Sequence, residues 1–221
     1  SVQNVEYTFE VSVPGYANPV TQSAIVKVRP RPDIAATVDE ICSGDVTNVD
    51  ISNPNTVTFT VFNWIVTDHN GNIDGEAPGT GNRITQLLTN SSTLLDSVTY
   101  RIYASAQGCA GDSIDVVQYV YPENVANAGT DTVVCQGTPA ITIETASIAG
   151  GSTSASWDIV DGGGSISGGS SLTPTYTPNP VEEVGTITLE LTASNASVCP
   201  SVTDLVSIII NSLPTVEAGP D

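Results

Sequence analysis

The sequence predicts an all-β chain of tandem two-layer sandwiches, and three observations predict it. Residues 5–16 (VEYTFEVSVPGY), 98–109 (VTYRIYASAQGC) and 187–199 (ITLELTASNASVC) spell one alternating pattern three times. A cysteine–glycine motif and a tryptophan recur at fixed distance: Trp64 follows Cys42 by 22 residues, and Trp157 follows Cys135 by the same 22. The composition is rich in Thr, Ser, Val, Gly, Asn and Pro, and no stretch built from Ala, Leu, Glu and Lys carries a helical period.

The alternation identifies strands. Val5, Tyr7, Phe9 and Val11 share one face, as do Val98, Tyr100, Ile102 and Ala104, and Ile187, Leu189, Leu191 and Ala193. Period two with one apolar face is a half-buried strand. Each is followed by a turn and a second apolar strand: Ala24–Val28, Ile114–Tyr121 and Leu205–Ile210. Pro30, Pro122 and Pro214 close these strands, because proline cannot continue a ladder.

Upstream of the hairpin, ICSG at 41–44 corresponds to VCQG at 134–137, a period of 93 residues by the cysteines. About seven short strands in that length, with a tryptophan on the third, match an immunoglobulin-like sandwich. Residues 1–32 then read as the last hairpin of one repeat, 33–122 and 123–214 as two whole repeats, and 215–221 as the start of another. The last assignment rests on AGPD at Ala218–Asp221, which echoes AGTD at Ala128–Asp131.

Composition excludes several classes. A formal net charge of −19 repels nucleic acid and anionic membranes, and suits a solvated acidic surface or one that attracts divalent cations. No run of about 18 apolar residues is present to span a bilayer, so no membrane insertion is expected. Four cysteines and no methionine fit an exported protein in an oxidising setting. No CxxC pair occurs and the single histidine, His69, has no cysteine near it, which argues against structural zinc. No GxSxG, no HExxH and no Ser/His/Asp spacing supports catalysis, so no enzyme is expected.

WDIVDGGG, Trp157–Gly164, resembles the W-D-F-G-D-G signature of polycystic-kidney-disease (PKD) domains. In the first repeat, Asp68 and Gly71 echo it after Trp64. The ICSG…W…VTYRI…QGC…P frame of residues 41–122 is similar to the PKD-like repeats of Bacteroidota surface proteins. NAGTDTVVCQG, SASWDIV, TYTPNP, TLELTAS and VCPSVTD resemble a companion repeat of the same proteins. The resemblance implies very large cell-surface adhesins exported by the type IX secretion system and associated with the outer membrane, including those of gliding motility. It also implies three O-glycosylation patterns, an Asp followed by Ser or Thr and an apolar residue, at Ser97, Ser113 and Thr132.

For the cysteines, one bridge within each repeat pairs Cys42 with Cys109 and Cys135 with Cys199. In a sandwich, however, Cys42 and Cys135 lie in the turn between the first two strands, at the C-terminal end of their unit. Cys109 and Cys199 lie at the opposite end. A sandwich spans roughly 30–40 Å at ~3.3 Å per strand residue, whereas a disulfide needs Cα atoms within about 7 Å. Head-to-tail stacking favours Cys42–Cys199 across the junction and leaves Cys109 and Cys135 for neighbouring repeats. Tyr16 stands where those cysteines stand, so its junction lacks a staple. Both pairings stay open at this point.

DHNGNIDGE, Asp68–Glu76, offers oxygens at Asp68, Asn70, Asn72 and Asp74 and superficially resembles a calcium loop, but Ile73 and Gly79 replace its required glycine and acid. Asn70–Gly71 is also a hairpin-turn signal, so the segment reads as a turn first and a calcium site second; no other cofactor is implied. DGGGSISGGSS, Asp161–Ser171, lacks the features of a phosphate cradle and reads as a flexible loop with a contact tip. Trp64 and Trp157 read as core pillars rather than sugar platforms. Tyr7 and Tyr100 stand where a tyrosine corner forms, Leu189 replaces them in the second repeat, and Tyr176 reads as core.

Two functions fit. One is a structural stalk of tandem repeats in a secreted adhesin, its partners being neighbouring repeats and, elsewhere in the protein, an unknown surface or polysaccharide. The alternative is a carbohydrate- or protein-binding accessory module of a secreted multidomain enzyme.

Overall fold

The computed structural model describes residues 2–15, 17, 19–69, 71–179, 184–216 and 219, with His69 described by its backbone alone. Tyr16, Asn70 and the AGPD echo, apart from Gly219, lie outside the described residues. A hairpin comes first, β1 (Gln3–Val11) with β2 (Val20–Val28). Ten strands follow: β3 (Ala35–Thr37), β4 (Ile41–Cys42), β5 (Val49–Ser52), β6 (Thr60–His69), β7 (Ile73–Asp74), β8 (Gly79–Thr80), β9 (Arg83–Ile84), β10 (Thr89–Asn90), β11 (Asp96–Ala106) and β12 (Cys109–Tyr121). The remainder comprises β13 (Asn124–Asn127), β14 (Thr132–Cys135), β15 (Ile141–Thr142), β16 (Ser147–Gly150), β17 (Ser154–Asp161), β18 (Ser165–Ser167), β19 (Thr175–Thr177), β20 (Gly185–Ser194) and β21 (Val202–Asn211). No helix occurs among the described residues, so none is long and apolar enough to cross a membrane.

Two hydrophobic cores form. In the first, the sheet β4-β12-β11-β6-β8 packs over β3-β5-β9. Strict alternation on β11 sends Val98, Tyr100 and Ile102 inward to complete burial, where Trp64, Ile84, Leu88 and Val120 join them. In the second, β14-β21-β20-β17 packs over β13-β16 and β15-β19-β18 around Trp157, Tyr176, Leu189, Leu191 and Ile208. Among the described residues none belongs to both cores.

The first strand of each unit changes sheets. β3 pairs antiparallel with β5, and the chain then crosses so that β4 runs parallel to β12. The buried amide of Gln118 holds this crossover by donating to Asp39 O at 2.7 Å. In the second unit β13 pairs with β16 and β14 runs parallel to β21. There the carboxylates do the holding: Asp204 accepts from Ala128 N and Asp131 from Ser207 N.

Two sequence expectations need correction. The glycine-rich stretch 161–171 is a packed wrap around the core rather than a free loop. Ser165–Ser167 is strand β18, and Trp157 donates its backbone N–H to Gly169 O and its indole N–H to Ser171 O, at 2.8 and 3.0 Å. A Cβ on Gly164, at φ +99°, would sit 2.5 Å from Thr177 O, so glycine is there for close approach. Second, no tyrosine corner forms at Tyr100: its hydroxyl donates to the Gln86 side chain at 2.6 Å rather than to backbone. On β1, Val5, Tyr7, Phe9 and Val11 are 38, 53, 58 and 64% exposed, whereas their counterparts on β11 are buried.

Tyr100 supplies a pH prediction. Burial, aided by the nearby Glu76 charge, raises its pKa well above the usual tyrosine value. The unfolded chain loses this proton near pH 10 while the folded chain keeps it, so the stability from Tyr100 is present below pH 10 and falls as pH rises beyond it. Tyr100→Phe costs about 1 kcal/mol at neutral pH through the lost hydrogen bond. Urea denaturation of both proteins from pH 8 to 11 will show the gap between them closing above pH 10. A constant gap contradicts the assignment.

Candidate functional site

The best-built feature is the junction between the two cores. β12 ends at Tyr121 and β13 starts at Asn124, so only Pro122 and Glu123 link them. A proline with fixed φ in so short a link allows little swing. Its two ends are tied down, each by its own unit. From the first unit, Ser43 N donates to Tyr121 O at 2.7 Å. From the second, Gly151 N donates to Glu123 O at 2.7 Å and Asn124 Nδ2 donates to Pro200 O at 2.8 Å.

Across this link runs a disulfide, Cys42–Cys199, with an S–S distance of 2.09 Å and Cα atoms 5.0 Å apart. Both cysteines are buried, at 5 and 6% exposure, so the bond is shielded from dissolved thiols. Cys42 ends β4, opposite Tyr121, and the chain then turns through Gly44 at φ +85°, with Asp45 N donating to Cys42 O at 3.0 Å. Cys199 lies in the loop between β20 and β21. Asn195 organises that loop: its Oδ1 accepts from Ser197 N at 3.1 Å and from Ser197 Oγ, and its Nδ2 donates to Gly151 O at 2.9 Å. The Cys199 sulfur rests 3.3 Å from the Pro122 carbonyl oxygen. The intra-repeat pairings are therefore absent. Cys109 and Cys135 carry free thiols, half-buried and exposed respectively.

A buried polar network stiffens the first-unit side. Asn90 N donates to Ser43 Oγ at 3.0 Å, and its side-chain amide donates to Leu94 O and Val120 O at 2.9 and 2.8 Å. Sequence reasoning missed Asn90, Asn124 and Asn195. Their signal was only their place beside predicted strand ends, where a short amide side chain can satisfy backbone groups.

The remaining sequence candidates are scattered. Asp68 pairs with Thr99 in the ladder, Asp74 sits in the short strand β7, and Asn72 donates to the buried Asp96 carboxylate at 2.9 Å. Asn70, the fourth oxygen of the calcium reading, lies outside the described residues. Among the described residues no group of three His, Cys, Asp or Glu side chains converges as a metal site. Ser97 is half-buried on β11, Ser113 is exposed on β12 and Thr132 is half-buried on β14. Trp64 and Trp157 are 6 and 5% exposed and face the two cores.

This geometry can be set beside known proteins. Residues 39–124 match the family model of the PKD-like domain. The PKD-like segment thus includes the whole of the first core from β4 onward and runs through the link to the first residue of β13. No curated protein matches the sequence. Among solved structures, the chain is similar to the N-terminal eight immunoglobulin domains of Down Syndrome Cell Adhesion Molecule, at 14% identity and TM-score 0.46, covering 89% of this chain and 27% of that one. It is also similar to the insect immune protein hemolin, at 13% identity and TM-score 0.44, covering 94% of this chain and 56% of that one. A third likeness is Drosophila N-cadherin EC1-3, at 11% identity and TM-score 0.33, covering 87% of this chain and 74% of that one. The chain spans less than two thirds of the first two of these structures.

Proposed function

We propose that this chain is a load-bearing stretch of a secreted cell-surface adhesin, in which sandwiches at 33–122 and 123–214 act as rigid spacers rather than as a catalyst. The observation that carries this reading is the junction: a two-residue link with its ends tied to their own units and bridged by the buried Cys42–Cys199 bond. A binding module needs a recognition surface, whereas effort here is concentrated on fixing one unit against the next. The disulfide fits an oxidising, extracellular setting, and the PKD-like domain is a non-catalytic module type. The β1–β2 hairpin, with its apolar face, would belong to a further sandwich of the same array, and 215–221 would open another. Within this proposal the array holds a distant adhesive tip away from the outer membrane, in a type IX-secreted protein of surface attachment or gliding.

Small-angle scattering of the intact chain tests the spacer role. The expected result is an elongated particle with a narrow distribution of inter-unit angles, together with a blank glycan array. A distribution as broad as that of two freely jointed domains, or saturable glycan binding, would reject it.

A further inference from the structure

Cys135 is an exposed free thiol in the same backbone frame as the bonded Cys42. Cys42 ends β4, which runs parallel to the unit's last strand with Cys42 opposite Tyr121. Cys135 ends β14, which runs parallel to that unit's last strand with Cys135 opposite Asn211. The residue after each cysteine donates its N–H across that pair, Ser43 to Tyr121 O at 2.7 Å and Gln136 to Asn211 O at 2.8 Å. Glycine follows in both, at φ +85° for Gly44 and +87° for Gly137, and the turn closes back on the cysteine carbonyl from Asp45 N and Thr138 N. Each cysteine therefore stands beside the point where the chain leaves its unit. For Cys42 that position is occupied: the chain passes Tyr121, enters the second unit and returns Cys199 to it.

Cys109 marks the complementary half. It follows the two-residue turn Gln107–Gly108 at the end of a unit where the chain enters. Arg29, in the incoming segment, donates to the Gln107 side chain and, at 3.3 Å, to its carbonyl, while Gly111 lies against Pro32. The entering chain thus runs past Cys109 as Tyr121 and Pro122 run past Cys199.

We infer that Cys135 is half of a second staple of the same kind, bonding a hairpin-end cysteine of a sandwich seated beyond Asn211, and that Cys109 takes the reciprocal role toward a unit preceding it. The inference rests on the spacer reading and extends it from one junction to a series. The chemistry is thiol–disulfide exchange with a dithiol oxidase or a small-molecule disulfide as oxidant. The Cys135 thiolate attacks the oxidant's disulfide, one oxidant sulfur leaves as thiolate, and the partner thiolate then displaces the other. Two cysteine thiols lose two protons and two electrons, and the oxidant is reduced to its dithiol form.

The test uses native protein isolated without reductant, treated with iodoacetamide while folded and again after denaturation, then digested and mapped without reduction. Expected is a Cys135 peptide joined to a cysteine peptide from outside residues 1–221, with no iodoacetamide label. A labelled Cys135, a small-thiol cap on it, or a link to Cys109 overturns the inference. An intact Cys42–Cys199 link in the same map would show that the spacer reading survives that failure; its loss would remove both.

Discussion

Trp157→Ala lowers the stability of the second unit by about 3–5 kcal/mol, the cost of emptying a fully packed aromatic site. The indole is 5% exposed, lies opposite Leu191 on β20 and spends its N–H on Ser171 O, so its loss removes packing and unties the glycine-rich wrap together. A domain of this size holds roughly 5–15 kcal/mol in all, and the corresponding fall in its Tm is on the order of 15–25 °C. Calorimetry should show the transition of the second unit moving while that of the first stays, because the two cores share no residue. Trp64 then serves as the one remaining tryptophan reporter of the first unit. Trp157→Phe, which keeps an aromatic ring in the site, should lose only about 1–2 kcal/mol. If both transitions shift together under Trp157→Ala, the units are not separate folding bodies.

Cys42→Ser with Cys199→Ser has the second largest effect, and it acts on the unfolded state. When the second unit unfolds beside a folded first unit, Cys42 stays fixed against Tyr121. The ring that the bridge closes is then about the length of the second unit, which the chain-entropy model values at about 4 kcal/mol. The second transition should fall by on the order of 15 °C, with the first nearly unchanged. The same variant should broaden the inter-unit angles seen in scattering. Added reductant is the poorer experiment, since both sulfurs are buried. Equal Tm values for the variant and the native chain would mean that the bridge constrains neither state.

Much of this architecture can be read from residues. The face Val98–Tyr100–Ile102 needed only period two to be placed inward, and the repeated Cys-to-Trp distance located both pillars. The ends of the sandwich on which each cysteine falls followed from strand count, and that was enough to favour a bridge across the junction. What stayed hidden has physical causes. β4, β7, β8, β9, β10 and β15 are two residues long, too short for any periodicity. The change of sheet between β3 and β4 depends on single partners such as Gln118 that carry no pattern. Glycines 162–169 are a loop by composition, yet their lack of Cβ is what lets the backbone lie against Tyr176 and Ile187. The ties that Asn124 makes to Pro200 O and Asn195 to Gly151 O beside the link are a tertiary fact about amides that locally resemble any turn residue.

Pulling on this molecule from its two ends meets an unusual route for the tension. Covalently, the shortest path runs from the N-terminus to Cys42, jumps through sulfur to Cys199 and leaves along β21. Residues 43–198, which carry most of both cores, hang from that path as a side loop and cannot add to the contour length however hard the ends are drawn. On that path β4 is held to β12 and β21 to β14 by parallel pairing, so the strands that carry the tension stay anchored to the units that hang from it. A tether built this way gives a short, stiff extension and then stops.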